Sequence, residues 1–395
     1  MSVSASPAAR RPPFFILVAV SAIGPLALNI FMPSMPGLQA TFGVSYGTVQ
    51  LTLTLYLIGL GVCQLFYGPL SDRYGRRPLL LAGLTLFVIA SIASALATTI
   101  ETLIAARLVQ ALGGASGIVL SRAIVRDLYQ GENAASVLGY ITMAWVLAPM
   151  IAPTIGGYLD QFWGFRASFV LLALIATLIL AIAWFTLHET NINRRRDGRL
   201  WQSSHYGRIF ASAQFRGYAL TLAFASAVFF TFLAFAPFVT VNVMGRSTVE
   251  YGLWFILVSL GYMLGNFLSG RYSVLIGNDR MVLFGNLMTL AGASLCLLFP
   301  LLGFLTPMAL FAPMLLCALG NGLTIPNGTV RAISIDPMLV GTAAGLLGFF
   351  QMGMSAMISQ TVGALQDHHL MIGYWTLAIC ALLGVLTHLA IMPKR

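Results

Sequence analysis

Apolar segments of about 18 to 25 residues recur from one end of the chain to the other, each long enough to cross a bilayer as a helix. Only 8% of residues are charged, against 58% hydrophobic. So many continuous spans exclude a soluble core, and their lack of polar–apolar alternation excludes a transmembrane barrel. The pattern predicts roughly twelve helices, at about 14–32, 48–67, 79–98, 102–124, 135–157, 167–187, 217–239, 251–270, 280–299, 306–327, 340–362 and 371–391. The expected fold is an all-α polytopic membrane protein with twelve transmembrane helices in two six-helix bundles.

Orientation follows from the positive charges, because Lys and Arg are retained on the cytoplasmic side. Alternate loops carry nearly all of them. Arg10 and Arg11 precede the first span; Arg73, Arg76 and Arg77 follow the second; Arg122 and Arg126 follow the fourth. Arg194, Arg195, Arg196, Arg199, Arg208 and Arg216 crowd the middle loop, then come Arg271 and Arg280, Arg331, and finally Lys394 and Arg395. The opposite loops offer Arg166 and Arg246. Both termini are therefore expected in the cytoplasm. This asymmetry, with contact to anionic lipid headgroups, accounts for the net charge of +10 without invoking nucleic acid.

No cleavable signal is expected, since the first apolar run is long and ends in Met32-Pro33-Ser34-Met35-Pro36 without a small-x-small site. Cys63, Cys296, Cys317 and Cys380 are widely separated inside spans and read as packing residues, so no metal or other cofactor is expected. A Gly-x-x-x-x-Gly-Lys loop is absent from the sequence, which argues against direct ATP drive.

The stretch from about Asn191 to Gln214 is the one long hydrophilic interruption. It divides the chain into an N-terminal bundle (1–190), a cytoplasmic linker (191–216) and a C-terminal bundle (217–395). The charged run Gly68-Pro-Leu-Ser-Asp-Arg-Tyr-Gly-Arg-Arg-Pro78 reads as a short loop between two spans, forcing them into a hairpin. A degenerate echo, Gly270-Arg-Tyr-Ser-Val-Leu-Ile-Gly-Asn-Asp-Arg280, follows the eighth span and argues for duplication.

Gly68-x-x-x-Asp72-Arg73-x-Gly75-Arg76-Arg77 resembles the loop motif of the major facilitator superfamily. Arg107-Leu-Val-Gln110-Ala-Leu-Gly113-Gly114 is similar to that superfamily's intramembrane arginine motif, and Ala148-Pro149-Met-Ile-Ala-Pro153-Thr-Ile-Gly156-Gly157 to its antiporter motif. Together they resemble the twelve-helix drug/proton antiporters of the bicyclomycin- and chloramphenicol-resistance branch. The resemblance implies export of small hydrophobic compounds by alternating access, with protons as the coupling ion and a monomeric chain in lipid. One departure stands out: Asn29 occupies the first-helix position where this branch usually has Asp, and Asn carries no proton.

Arg107 is the charge expected inside the bilayer core, where it should face a cavity or meet polar neighbours. Asn29, Gln110 and backbone carbonyls freed by Pro25 are the candidate partners. Two readings stay open, an arginine that orients substrate and one that ties the first helix to the fourth. Asn266, Asn321 and Gln351 are further deep polar residues assigned to the substrate cavity. Gly68, Asp72, Arg73, Gly75, Arg76, Arg77, Arg122 and Asp127 form the expected cytoplasmic gate, or else a set of solvated topology charges. Pro149, Pro153, Gly156 and Gly157, with Gly261, Gly265, Gly341 and Gly345, are expected where the two bundles pack against each other. The leading function is thus multidrug efflux. Alternatives are a proton-uncoupled facilitator or metabolite exchanger, favoured by Asn29, and a non-transporting sensor or scaffold. An enzyme is not expected, since no nucleophile, metal-ligand set or carboxylate pair falls at membrane depth.

Overall fold

The computed structural model describes residues 13–128, 131–191, 203–335 and 339–392, with the backbone alone for 131–140, 142–146 and 203–205. Helix α1 (Phe14–Ile30) runs through a 3-10 turn into α2 (Met35–Phe42), followed by α3 (Tyr46–Tyr74), α4 (Arg76–Ala95), α5 (Ile100–Leu128), α6 (Gly131–Trp163) and α7 (Arg166–Thr186). The short α8 (Ser203–Ala211) precedes α9 (Ala213–Phe238), which ends in a π-helical turn, Val239–Val243. Then come α10 (Thr248–Ile276), α11 (Asn278–Leu301), α12 (Pro307–Ile333), α13 (Val340–Leu365) and α14 (Ile372–Ile391). Each expected span has its helix. Among the described residues, 11 helical segments are long and apolar enough to cross a membrane, and α6, whose side chains are described only in part, occupies the remaining expected span, the fifth.

The helices outrun the apolar stretches that announced them because polar caps lie beyond those stretches. The Ser45 hydroxyl accepts from the Thr48 amide, and Ser247 and Glu250 form a reciprocal capping box at the start of α10. The linker expected at 191–216 contains α8 and the first turn of α9; residues 192–202 lie outside the described ones. Ile209 of α8 is buried against Phe215, Leu339 and Leu346, and Phe210 stacks on Phe350 of α13 with ring centroids 5.5 Å apart. This interdomain segment is therefore packed rather than simply spanning.

The charged stretch 68–78 is not a loop. Helix α3 continues through Gly68 and Pro69 to Tyr74, and α4 begins at Arg76, so the break is Gly75 alone, at φ 102°. Pro69 removes one backbone donor, a loss that a helix packed among neighbours tolerates. The echo is built the same way: α10 runs to Ile276, Gly277 sits at φ 89°, and α11 begins at Asn278. A left-handed single-residue break is a conformation that glycine adopts without strain.

Candidate functional site

Arg107 lies on α5 with no exposed surface. Its Nη1 donates to Gln110 Oε1 (2.5 Å) and to the Ala27 carbonyl (3.2 Å). That carbonyl lies in the last turn of α1, where a helix runs out of backbone donors, and not at Ser21, whose carbonyl the missing N–H of Pro25 would free. Gln110 is held in turn by donating to Ser91 Oγ on α4 at 2.8 Å. The remaining support is aromatic: the guanidinium carbon stands 4.1 Å from the Tyr56 ring centroid, 5.1 Å from Phe31 and 5.8 Å from Phe169. Tyr56 is fixed by donating to the Gly24 carbonyl at 2.9 Å. The Arg107 Nε and Nη2 groups are buried without a hydrogen-bond partner. The end of α1 with the turn after it, α3 and α7 thus converge on one cation through rings and backbone. The aromatic cage was not read from the sequence, because Phe31, Tyr56 and Phe169 come from three different helices and nothing local pairs them.

Asn29, expected beside Arg107, turns back on its own helix and donates to the Pro25 carbonyl at 2.8 Å, while its buried Oδ1 has no partner. The other cavity candidates are dispersed. Asn266 donates to the Tyr262 carbonyl within α10, Asn321 donates across to the Ala225 carbonyl of α9, and the Gln351 amide nitrogen is buried without a partner. None of these residues shares a hydrogen bond with Arg107. Among the described residues no Asp or Glu is buried.

At the arginine-rich end, Arg76 gathers α3, α4, α5 and the irregular segment after α7. Its side chain reaches Asp72 at 2.6 Å, Asp127 at 3.1 Å and the Ser71 hydroxyl, while its backbone amide donates to Glu189 Oε1 at 2.9 Å. Arg76 is 6% exposed, whereas Asp72 is 52% and Asp127 21%, so the cation is buried and the anions are not. Thr190 donates to Asp127, and Asn191 donates to the Asp72 carbonyl. Arg77 donates to the Leu187 and Trp184 carbonyls at the end of α7. Arg73 projects outward over Tyr74, Gly68 has open space around it, and Arg122 is exposed earlier on α5. Ser71, Glu189, Thr190 and Asn191 are the members of this network that sequence reasoning passed over.

The second half repeats the arrangement with the signs exchanged. There the anion, Asp279, begins α11 and the cation, Arg331, ends α12, with Arg331 Nε 2.9 Å from Asp279 Oδ1. The Tyr218 hydroxyl donates to the same carboxylate. This polarity suits the helix dipoles, which favour anions at N-termini and cations at C-termini. Arg76 at the start of α4 and Asp127 at the end of α5 oppose their dipoles. The first network therefore holds by mutual pairing alone, and the second is supported by its helices as well.

At the arginine-poor end, hydrogen bonds cross between the halves. Thr54 on α3 donates to Gln360 on α13 at 2.7 Å, and Gln360 donates to the Gly47 carbonyl at 3.0 Å. Tyr46 donates its hydroxyl to the Ala234 carbonyl of α9 at 2.8 Å. On the other flank Thr154 donates to the Gly252 carbonyl, and Thr248 to the Gly157 carbonyl.

The expected interface glycines divide. A Cβ on Gly157 would overlap the Thr248 carbonyl across the halves, and one on Gly345 would come within 3.0 Å of the Gln64 carbonyl of α3. The Pro153 carbonyl abuts Gly252, while Pro149 lies half-buried earlier on α6. Gly156, by contrast, faces the Ile30 carbonyl of α1 in its own half. Gly261 and Gly265 were expected between the bundles; they face Leu315 and Leu319 of α12, because that side of α10 is buried inside its own bundle. Gly341 has nothing within 4 Å and is no interface residue. Gly156→Ala should accordingly cost about 1–3 kcal/mol by overpacking, with α6 driven off the end of α1. Gly341→Ala should be neutral or slightly stabilising. Thermal unfolding of the purified variants in one detergent checks both.

The sequence profile of the Major Facilitator Superfamily matches residues 17–360. Multidrug resistance protein D of Escherichia coli K12 is 32% identical over 361 residues, covering 88% of this chain and 89% of its own. A chloramphenicol resistance protein of Pseudomonas aeruginosa is 31% identical, with 78% and 73% covered. A crystal structure of a D-xylose-proton symporter superposes with a TM-score of 0.80 at 18% identity, covering 96% of each chain, a likeness of fold.

Proposed function

This chain belongs to the Major Facilitator Superfamily, and from that premise we propose that it exports small, largely hydrophobic compounds across a bacterial inner membrane by alternating access. The arginine-rich end faces the cytoplasm by the positive-inside rule, with both termini on that side. One observation carries the reading: a buried cation sits between a hydrogen-bonded seam at one end and a charge-bridged helix break at the other. The seam closes the outer end. The Arg76 network braces the N-terminal half at the inner end, where it serves as the latch that biases one state over the other.

Arg107 sets a positive potential in the cavity, which favours neutral and anionic compounds over cations. The names of the relatives point to antibiotics and other drugs as the class carried. Proton antiport is the drive that this branch implies. A second reading, a facilitator without proton coupling, is favoured by Asn29 and by the lack of a buried carboxylate among the described residues.

Everted membrane vesicles holding an imposed pH gradient separate these readings. Antiport is expected to show as a compound-specific collapse of the gradient across a panel of phenicols, bicyclic peptides, dyes and quaternary cations, with an empty-vector control. Transport of a labelled compound without any collapse selects the facilitator. Absence of transport for the whole panel would count against efflux itself.

A further inference from the structure

We infer that the groove between α10 and α11 is a site for one anionic phospholipid, with an acyl chain in the groove and the headgroup on Arg271 and Arg280. The inference stands apart from what is transported, since it needs only a chain that spans a membrane. The groove has a volume of about 430 Å³ and apolar walls, Leu268, Tyr272 and Ile276 on α10 and Phe284 and Leu287 on α11. The buried side chains of Met281 and Leu323 close it from behind. Tyr272, Phe284 and Leu287 are about half exposed, and α11 packs on α10, α12 and α14 of its own half, so the groove opens outward to the bilayer. From Met281 to Ala291 its α11 wall is about 15 Å long, the depth of one leaflet of a roughly 30 Å hydrocarbon core.

Two cations stand at the arginine-rich mouth. Arg280 is four residues ahead of Phe284 and seven ahead of Leu287, which puts it on the stripe of α11 that lines the groove. Helical side chains lean toward the N-terminus of their helix, which for Arg280 is the membrane surface at Asn278. Arg271 follows Leu268 by three residues on the same face of α10, and Val274 and Leu275 beside it are 94% and 80% exposed. An arginine therefore stands among lipid-facing apolar residues about 7.5 Å short of the end of α10 at Ile276. Such a cation is costly unless an anion meets it. Both arginines are exposed, and among the described residues neither has an ion pair. The acid beside them, Asp279, is held by Arg331 and Tyr218. Counted from the break glycines, Gly75 and Gly277, these arginines stand where the first half has Pro69 and Pro78. They are additions to the echo, whereas Arg76 and Arg77 are used within the protein. A phosphate supplies the oxygens that guanidinium groups bind in pairs, and a headgroup without a cation of its own leaves that charge uncancelled.

The test is native mass spectrometry of the full chain, stripped of lipid in detergent and titrated with dioleoyl-phosphatidylglycerol or with zwitterionic dioleoyl-phosphatidylcholine, which has the same chains. The first phosphatidylglycerol should bind about tenfold more tightly than the first phosphatidylcholine. The double variant Arg271→Ala, Arg280→Ala should bring the two lipids level. Arg126→Ala, which removes an exposed arginine from the same end of the first bundle, should keep the preference. Ala291→Trp fills the far end of the groove with both arginines intact and should weaken phosphatidylglycerol by about fivefold or more. Glycerophosphoglycerol, the headgroup without chains, should not displace the lipid. Equal binding of the two lipids by the parent overturns the inference, as does a preference that survives the double variant. An equal loss in Arg126→Ala would also overturn it, by showing diffuse attraction to basic surface, and displacement by glycerophosphoglycerol would reduce the site to an anion site without a groove. A lipid-free dimer broken by Ala291→Trp would give the groove to a second copy of the chain instead.

Discussion

Arg107→Met should abolish transport while leaving the protein as stable as before, or more so. The guanidinium is buried, two of its N–H groups lack partners, and its hydrogen bonds go to one amide side chain and one carbonyl. Replacing a buried charge with an apolar side chain of similar volume is often neutral or stabilising, because the desolvation penalty disappears with the charge. The second bundle already contains such a residue. Gly113 packs against Gly83 just as Gly320 packs against Gly285, and Met314 stands as far ahead of Gly320 as Arg107 stands ahead of Gly113. Met314 is fully buried. A purely structural arginine would therefore be dispensable in its methionine form. Arg107→Ala is the contrasting variant: it leaves a cavity among Phe31, Tyr56 and Phe169 and should lose about 2–5 kcal/mol. Uptake of a labelled neutral compound into everted vesicles, beside thermal unfolding, reads both. Transport by Arg107→Met at the parental rate would reduce Arg107 to a tie between α1 and α5.

Arg76→Ala should be the most damaging change at the arginine-rich end, ahead of Asp127→Asn and then Asp72→Asn. Arg76 is the shared cation of the network, and its loss leaves Asp72 and Asp127 close together without the charge that joined them. Breaking a buried pair typically costs 3–5 kcal/mol. Here the cost should be about 3 kcal/mol, because Asp72 is half in water and its pairing is screened. The opposed dipole of α5 adds to the loss, since Asp127 keeps only the Thr190 hydroxyl, whereas removing Arg76 relieves the opposition at the start of α4. Asp72→Asn removes one exposed partner and should leave insertion intact while stalling transport. The order of the three variants in chemical unfolding and in vesicle transport is the check. An Arg76→Ala protein that unfolds and transports like the parent would dissolve the latch.

Arg331→Ala in the second half provides the comparison for that argument. Asp279 keeps the Tyr218 hydroxyl and its place at the start of α11, so loss of Arg331 should cost no more than about 1 kcal/mol. The measurement is the same unfolding experiment.

The sequence by itself determined the membrane class, the helix positions and the family. Those properties are written in one dimension: span length is matched to bilayer thickness, charge asymmetry to topology, and Asp72, Arg76 and Arg107 to motifs of fixed spacing. It also marked Arg107 as a residue in need of partners and named Gln110 correctly, because a residue three positions on lies on the same face of a helix. The tertiary structure decided what lies across space. The aromatic cage draws Phe31, Tyr56 and Phe169 from separate helices, and Asp367 reaches Tyr46 from the other half of the chain. Gly261 and Gly265 were misplaced for the same reason: their spacing declares a close helix contact, but which helix makes it depends on how α10 is rotated. The charged stretch 68–78 looked like a loop because its residues are polar. It stayed helical to Tyr74 because Arg76, Asp127, Glu189 and Asn191 satisfy that end of the bundle from three segments, leaving Gly75 alone to turn the chain.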